Sequence, residues 1–258
     1  MEQSKRIAAL AESEEERYRL ELVCGRMERA REREIPAASC FLSPREQALV
    51  RLLLPDCRFF GGTADTERAV AFYLPEYLTQ EDYFLDGPIA CLRAHFYEEN
   101  TLTHRDVLGA LMGAGIRRET VGDICLHGRT CDIFVLTELK RYLLDNLVSA
   151  GRVHLRMEEI ALTQAERLPQ KLRELRLTVS SLRLDAVISA AFHLSRGRAV
   201  ELICGGAAAV NSLTCLKPDR AVAQEDVLSL RGLGKLRVLE CGGMTKKGRI
   251  ALTVGKYV

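Results

Sequence analysis

The chain has 258 residues, 47% hydrophobic and 28% charged, which is ordinary for a soluble globular protein with room for two or three compact domains. No apolar run approaches the ~20 residues of a membrane-spanning helix, so a membrane partner is not expected. The net charge of +2 conceals an asymmetry: residues 180–258 carry 12 Lys and Arg against 6 Asp and Glu, whereas residues 1–179 carry 25 against 29. The C-terminal part should therefore meet an anionic partner, although charge alone does not separate RNA from DNA or a membrane surface.

Nine cysteines, an odd number with no Cys-x-x-Cys pair, suit a reducing compartment in which thiols act as small hydrophobes. Met1-Glu-Gln-Ser-Lys-Arg6 leads into an acidic helix rather than an apolar segment, so no signal peptide is expected and a cytoplasmic location is.

Residues 1–35 read as one helix ended by Pro36, with mixed Glu and Arg forming a solvated face rather than an RNA-facing arm because the signs alternate. Ser43-Pro44-Arg45-Glu46 carries a capping box and a first-turn proline, starting a helix that runs to about Leu54. Strands are expected over residues 57–61, 69–74 and 89–96, then a helix from Thr103 with Val107, Leu108, Leu111 and Met112 as its apolar stripe. Strands 123–126 and 131–136 follow, then a helix over 138–150 and a strand over 152–160. From residue 89 the order is β-α-β-β-α-β, the ferredoxin-like arrangement shared with RNA-recognition domains. Such a superfold implies no function by itself. Stacking bases needs exposed aromatics on the central strands, and 131–136 offers only Phe134, so a structural or docking role fits that sheet better. Residues 161–178 read as a linker that becomes extended towards Val179.

Catalytic and metal signatures are weak. Cys125, His127 and Cys131 lie within seven residues, yet without a knuckle they read better as core cysteines beside an exposed turn histidine, and no metal is expected. Gly232-Leu-Gly234-Lys235 lacks the Ser or Thr of a phosphate loop. His104-Arg105-Asp106 matches the start of a kinase catalytic loop, but capping by Thr103 and Asp106 explains it better. No cofactor is expected.

The last third is different. Ser180 or Ser181 should cap a helix with Leu184, Val187, Ile188 and Ala191 inward, and Asp185 in its first turn could hold Arg183 or an arginine of the next helix. Ser195 should cap a second helix ended by Gly205-Gly206, its exposed amides forming an anion site beside Arg196 and Arg198. An RNA phosphate is placed there. Strands over 207–211, 227–231, 235–241 and 249–257 follow, the last two joined by a loop that presents Lys246, Lys247 and Arg249 with no nearby acid.

Arg183-Leu-Asp185, Ser195-Arg196, Val210-Asn211, Asp226 and Arg231-Gly-x-Gly-Lys235 together resemble the S4 (αL-like) RNA-binding domain. His104-Arg-Asp-Val-Leu-Gly-Ala-Leu-Met-Gly-x-Gly-Ile116-Arg and Gly122-Asp-Ile124 resemble the YlmH-type S4-domain proteins of bacteria and photosynthetic lineages. The resemblance spans most of the chain and is clearest over 103–124 and 181–249. It implies an α+β protein with an N-terminal helical/α+β domain (1–75), a central ferredoxin-like, RNA-recognition-like domain (76–160), a linker (161–178) and an S4 domain (179–258). It also implies binding to structured RNA, rRNA or tRNA, on the large ribosomal subunit during rescue of stalled nascent chains; the oligomeric state is left open, with a monomer as the expectation. Carried onto this sequence, the RNA contacts would be Arg183, Ser195, Arg196 and Arg198, with Asn211, Arg231, Lys235 and Arg249 beside them and Lys246 and Lys247 matched more loosely. S4 domains are also fused to RNA-modifying enzymes, and Arg-Leu-Asp begins the pseudouridine synthase motif. Here Ile188 stands at its Thr position and Ala190 at its Gly, and 73 residues after Asp185 leave little for a catalytic domain, so a non-catalytic role is expected.

Overall fold

The computed structural model describes residues 2–64, 66–85, 87–97, 101–165, 172–245 and 248–257. Contacts divide the chain into two units, residues 1–168 and 169–258, each built of helices on antiparallel sheets, which is the expected α+β class.

The first unit opens with two helices where one is expected, α1 (Glu2–Leu10) and α2 (Glu14–Arg33). Ser13 breaks them: its backbone is extended and its hydroxyl accepts the Glu16 N–H at 3.1 Å, capping α2 ahead of three first-turn glutamates. Strand β1 (Ala37–Leu42) follows, buried at most positions and so without the alternation that marks a half-exposed strand. Helix α3 (Pro44–Leu53) has the expected capping box: Ser43 Oγ accepts from Glu46 N–H at 3.3 Å, and the Glu46 carboxylate accepts from Ser43 N–H at 2.7 Å. Strands β2 (Arg58–Phe60) and β3 (Ala69–Tyr73) complete a three-stranded sheet of order β1-β3-β2. A short helix α4 (Gln80–Leu85), not foreseen, sets the Phe84 ring 4.5 Å from Phe60 and 5.2 Å from Phe72.

The rest of this unit is β4 (Ile89–His95), α5 (His104–Gly113), β5 (Val121–His127), β6 (Thr130–Leu136), α6 (Lys140–Asn146), a hairpin of β7 (Ser149–Ala150) and β8 (Val153–His154), and β9 (Arg156–Ile160). The helix expected over 138–150 is shorter because residues 149–150 turn back at Gly151, whose φ of 59° favours glycine. The sheet order is β5-β6-β4-β9, antiparallel throughout. Thr103 and Asp106 cap α5 reciprocally, the helix start expected of Thr103-His104-Arg105-Asp106.

Successive residues of these strands face opposite ways. Leu92, Ala94, Cys131, Ile133 and Val135 pack on Val107, Leu111 and Leu143 of the helices. Ile89, Cys91 and Phe134 point the other way and are buried with Phe41, Val70, Phe72 and Phe84. The face that could have offered an aromatic to a base is thus covered by the N-terminal residues, and Phe134 is 0% exposed. The boundary expected after residue 75 consequently runs through a shared core rather than between separate units. Gly122 belongs to the same seam: a Cβ there would lie 2.6 Å from Phe41 Cε1. Beside it, Asp123 accepts the N–H groups of Glu67 and Arg68 at 2.8 and 2.9 Å, and the Arg68 guanidinium donates to the carbonyls of Val121 and Phe41, both at 2.9 Å.

The second unit begins inside the expected linker. Residues 172–179 form strand β10 (Leu172–Val179), paired along its length with β15 (Ile250–Tyr257); residues 166–171 lie outside the described residues. Leu175, Leu177 and Val179 alternate with Arg176 and Thr178, a period-two signal masked by neighbouring charges. Then come α7 (Leu184–Ala191), α8 (Arg196–Cys204), β11 (Ala208–Val210), β12 (Leu213–Thr214), β13 (Val227–Leu230) and β14 (Gly234–Met244). The sheet order is β10-β15-β14-β13-β11-β12. Leu184, Val187, Ile188, Ala199 and Ile203 from the two helices share a core with Val210, Leu228, Leu236, Val238, Leu252 and Val254 from the sheet.

Candidate nucleic-acid interface

Helix α7 starts without the serine cap expected. Arg183 holds the cap position, and the amides of Leu184 and Asp185 donate to the carbonyls of Arg220 and Pro218, both at 2.9 Å. The Ala186 amide donates to Asp185 Oδ1 at 2.8 Å. Those amides are spent, so the start of α7 offers little to an anion.

At the far end of α7 the chain reverses through His193, which has a left-handed φ of 54°. The Ser189 hydroxyl donates to the Leu194 carbonyl at 2.7 Å and clamps this turn. Ser195 follows in extended conformation and, as expected, caps α8 by accepting the Arg198 N–H at 3.2 Å. Among the described residues no acceptor is placed for the amides of Arg196 and Gly197. Both residues are exposed, which a helix start that receives an anion requires.

Asp185 organises the arginines around this start. Its side chain is 5% exposed. Arg196 Nη2 donates to both carboxylate oxygens at 3.1 Å, and Arg183 reaches them through Nε and Nη2 at 3.2 and 3.3 Å. Burial pushes the Asp185 pKa up, but the hydrogen bonds and charges of Arg183 and Arg196 outweigh it and hold the carboxyl below the usual range. Arg196 is further held by Nη1 on Ser180 Oγ at 3.3 Å. Both arginine side chains are about half exposed, so each is anchored to Asp185 while remaining open to solvent over part of its length. The Arg183-Leu-Asp185 motif thus ties the start of α7 to the first residue of α8 through one carboxylate.

The other expected contacts divide by position. Arg198 pairs with Glu201 at 3.0 Å on the open face of α8. Arg249 donates to the Thr178 carbonyl, two residues before Ser180, so it lies at the end of β10 nearest Arg196. Arg231 and Lys235 flank the β13–β14 turn, with the Lys235 ammonium 4.8 Å from the Tyr257 ring centre. Tyr257 lies opposite Leu172 and Ile250 opposite Val179, so about 23 Å of strand separates Lys235 from the Arg249 end. Asn211 is committed to its turn: φ is 51°, Nδ2 donates to Asp226 at 2.7 Å, and Oδ1 accepts the Val227 N–H at 2.8 Å. Lys246 and Lys247 lie outside the described residues. Ser180, which steadies Arg196, was expected to cap α7; sixteen residues separate it from its partner, and nothing local announces the pairing.

Among the described residues no group of three His, Cys, Asp or Glu side chains is placed to hold a metal ion, and no helix is long and apolar enough to cross a membrane. Cys131 is buried and Cys125 partly so, while His127, expected to be exposed, is partly buried with both ring nitrogens shielded.

Comparison with known proteins places this geometry in context. Residues 94–164 match the family described as "Putative RNA-binding domain in YlmH". The "Ribosome-associated protein quality control protein P2" of Bacillus subtilis (strain 168) is 32% identical over 219 residues, 83% of this chain and 84% of that protein. Among solved structures, "Cell division protein ylmH from Streptococcus pneumoniae" aligns with a TM-score of 0.48 at 22% identity, covering 60% of this chain and 96% of that one. With a relative of that identity matched along most of both sequences, the chain belongs to the YlmH family.

Proposed function

We propose that this protein binds structured RNA, rRNA or tRNA, on the large ribosomal subunit, and acts without catalysis in quality control of stalled nascent chains. Its second unit is read as an S4-type RNA-binding module. The observation that carries this reading is the fixed pair Arg183 and Arg196, held by buried Asp185 beside the open start of α8. Two guanidiniums anchored to one carboxylate lose little freedom on meeting a phosphate, so binding keeps more of the electrostatic gain. Arg198 and Arg249 widen the positive surface at the same end of the sheet. The relationship to a ribosome-associated quality control protein supplies the setting.

Co-sedimentation of the full chain with purified 50S and 30S subunits tests the reading, together with anisotropy on labelled tRNA over a salt series. We expect preferential pelleting with 50S and a salt-sensitive tRNA affinity. Arg183→Gln with Arg198→Gln should reduce the slope of log affinity against log salt by about 1.4 to 1.8, two phosphate contacts at about 0.7 to 0.9 each. Equal pelleting with both subunits, or an unchanged slope in the double variant, would count against it. Incubation of ribosomal RNA with the chain, with and without S-adenosylmethionine, should leave its nucleoside mass profile unchanged; a new modified nucleoside would favour an RNA-modifying enzyme.

A further inference from the structure

In sequence, the Arg and Glu residues of α2 alternate in a way that reads as a neutral solvated face. In three dimensions they separate. Arg26, Arg29 and Arg33, at i, i+3 and i+7, line one groove of about 400 Å³ together with Pro36, Tyr83 and Pro88. Glu28 and Arg31 face a different groove, and Arg31 is paired with Asp56 at 3.7 Å. No Asp or Glu lines the arginine groove among the described residues, and no ion pair there engages its three arginines. All three are exposed.

Local details suit an anion. A Cβ at Gly25, in mid-helix where glycine is unfavourable relative to alanine, would lie 3.2 Å from Arg29 Nη1. The bare backbone there leaves room for the Arg29 guanidinium to lie back along the groove. Tyr83 closes the opposite wall, its ring 5.0 Å from Phe84 and close enough to Arg26 for that charge to offset part of the rise that burial imposes on its phenol. Tyr77, 72% exposed, is tied through its hydroxyl to the Glu34 carbonyl at the end of the same helix. Seven residues at 1.5 Å spread the three guanidiniums over about 10 Å of helix axis. A row of arginines with no ion-pair partner among the described residues, beside Tyr83, is the composition of a surface that follows a nucleic-acid backbone.

We infer that the groove formed by Arg26, Arg29, Arg33 and Tyr83 is a second RNA site, which takes the phosphodiester backbone of a single-stranded segment. It rests on the reading of this chain as an RNA-binding protein and adds a contact made by the first unit, independent of the arginines at α8.

The test uses the full-length protein, a fluorescein-labelled 20-nucleotide oligo(U) and labelled tRNA, each titrated from 50 to 200 mM salt. Three variants are compared: Arg26→Gln/Arg29→Gln/Arg33→Gln, the same positions changed to Lys, and Arg183→Gln/Arg198→Gln. With three contacts at about 0.7 each, wild-type affinity for oligo(U) should fall about twentyfold more across that range than that of the triple Gln variant. The triple Lys variant should keep a slope near wild type, which separates lost charge from lost folding. An oligo(U) slope unchanged by the triple Gln change, with tRNA binding weakened by Arg183→Gln/Arg198→Gln, overturns the second site and leaves the proposed function standing. Absence of wild-type binding to either RNA overturns both. Labelled polyglutamate whose binding depends on the three arginines, while oligo(U) binding does not, overturns the RNA assignment in favour of an acidic protein partner.

Discussion

The sequence offers Arg196 both as an RNA contact and as a partner for Asp185, and the structure ties it to that buried carboxylate, with consequences for charge reversal. At an effective dielectric of about 20, opposite charges about 4 Å apart attract by about 4 kcal/mol. The Arg196 side chain is 49% exposed, so solvent screening reduces the contribution to about 1 kcal/mol. Arg196→Gln should therefore lower stability by about 1 kcal/mol, a melting shift of about 4 to 8 °C for a unit this size. Arg196→Glu places a second carboxylate beside Asp185, whose side chain is 5% exposed, and adds repulsion of similar size. The total is about 2 to 3 kcal/mol, or about 10 to 20 °C. Arg198, paired only with an exposed Glu201, provides the contrast: Arg198→Glu should leave melting within about 2 °C of wild type. Scanning calorimetry of the full chain reads these shifts, with near-ultraviolet dichroism as a check on native packing. Equal melting temperatures for Arg196→Glu and Arg198→Glu would refute the anchoring role. If the shift appears, RNA affinity lost in Arg196→Glu reports folding as well as contact; Arg183, which shares that carboxylate, needs the same melting control, whereas Arg198 reports contact alone.

Asp185→Asn should destabilise the protein at neutral pH, and the difference from wild type should vanish in acid. The folded carboxyl titrates below its unfolded value, so its stabilisation is complete above about pH 4 and is lost as pH falls through the lower folded value; urea melts from pH 7 to 3 should show the curves converging. Phe134→Ala should cost about 3 to 5 kcal/mol by opening a cavity at the shared core, and Gly122→Ala about 1 to 3 kcal/mol by forcing a methyl onto Phe41; urea midpoints measure both. Burial pushes the thiols of Cys24 and Cys131 up to about 12, so iodoacetamide at pH 8 should label exposed Cys204 in the native protein and reach those two only after unfolding. Labelling of Cys131 at the rate of Cys204 in native protein would contradict the packing of β6.

What the sequence determines by itself is set by short-range chemistry. Ser43, Thr103 and Ser195 each announce a helix start because a hydroxyl and an amide three residues on are placed by local geometry alone. The spacing of Val107 and Leu111, or of Leu184, Val187 and Ile188, marks a buried helix face for the same reason. The arginines around α8 were legible as a group because the motif keeps them within sixteen residues. Tertiary structure decided what depends on distant partners. Strand β10 exists because β15, more than seventy residues later, supplies its hydrogen bonds. Strand β1 hides because burial on both faces erases alternation. Whether a charged residue is free or committed is equally non-local, since it depends on which carboxylate the fold brings within about 3 Å. Arg196 is tied to Asp185 and Ser180, whereas Arg26, Arg29 and Arg33, which read in sequence as half of a neutral helix face, are left facing a groove lined by no described acid.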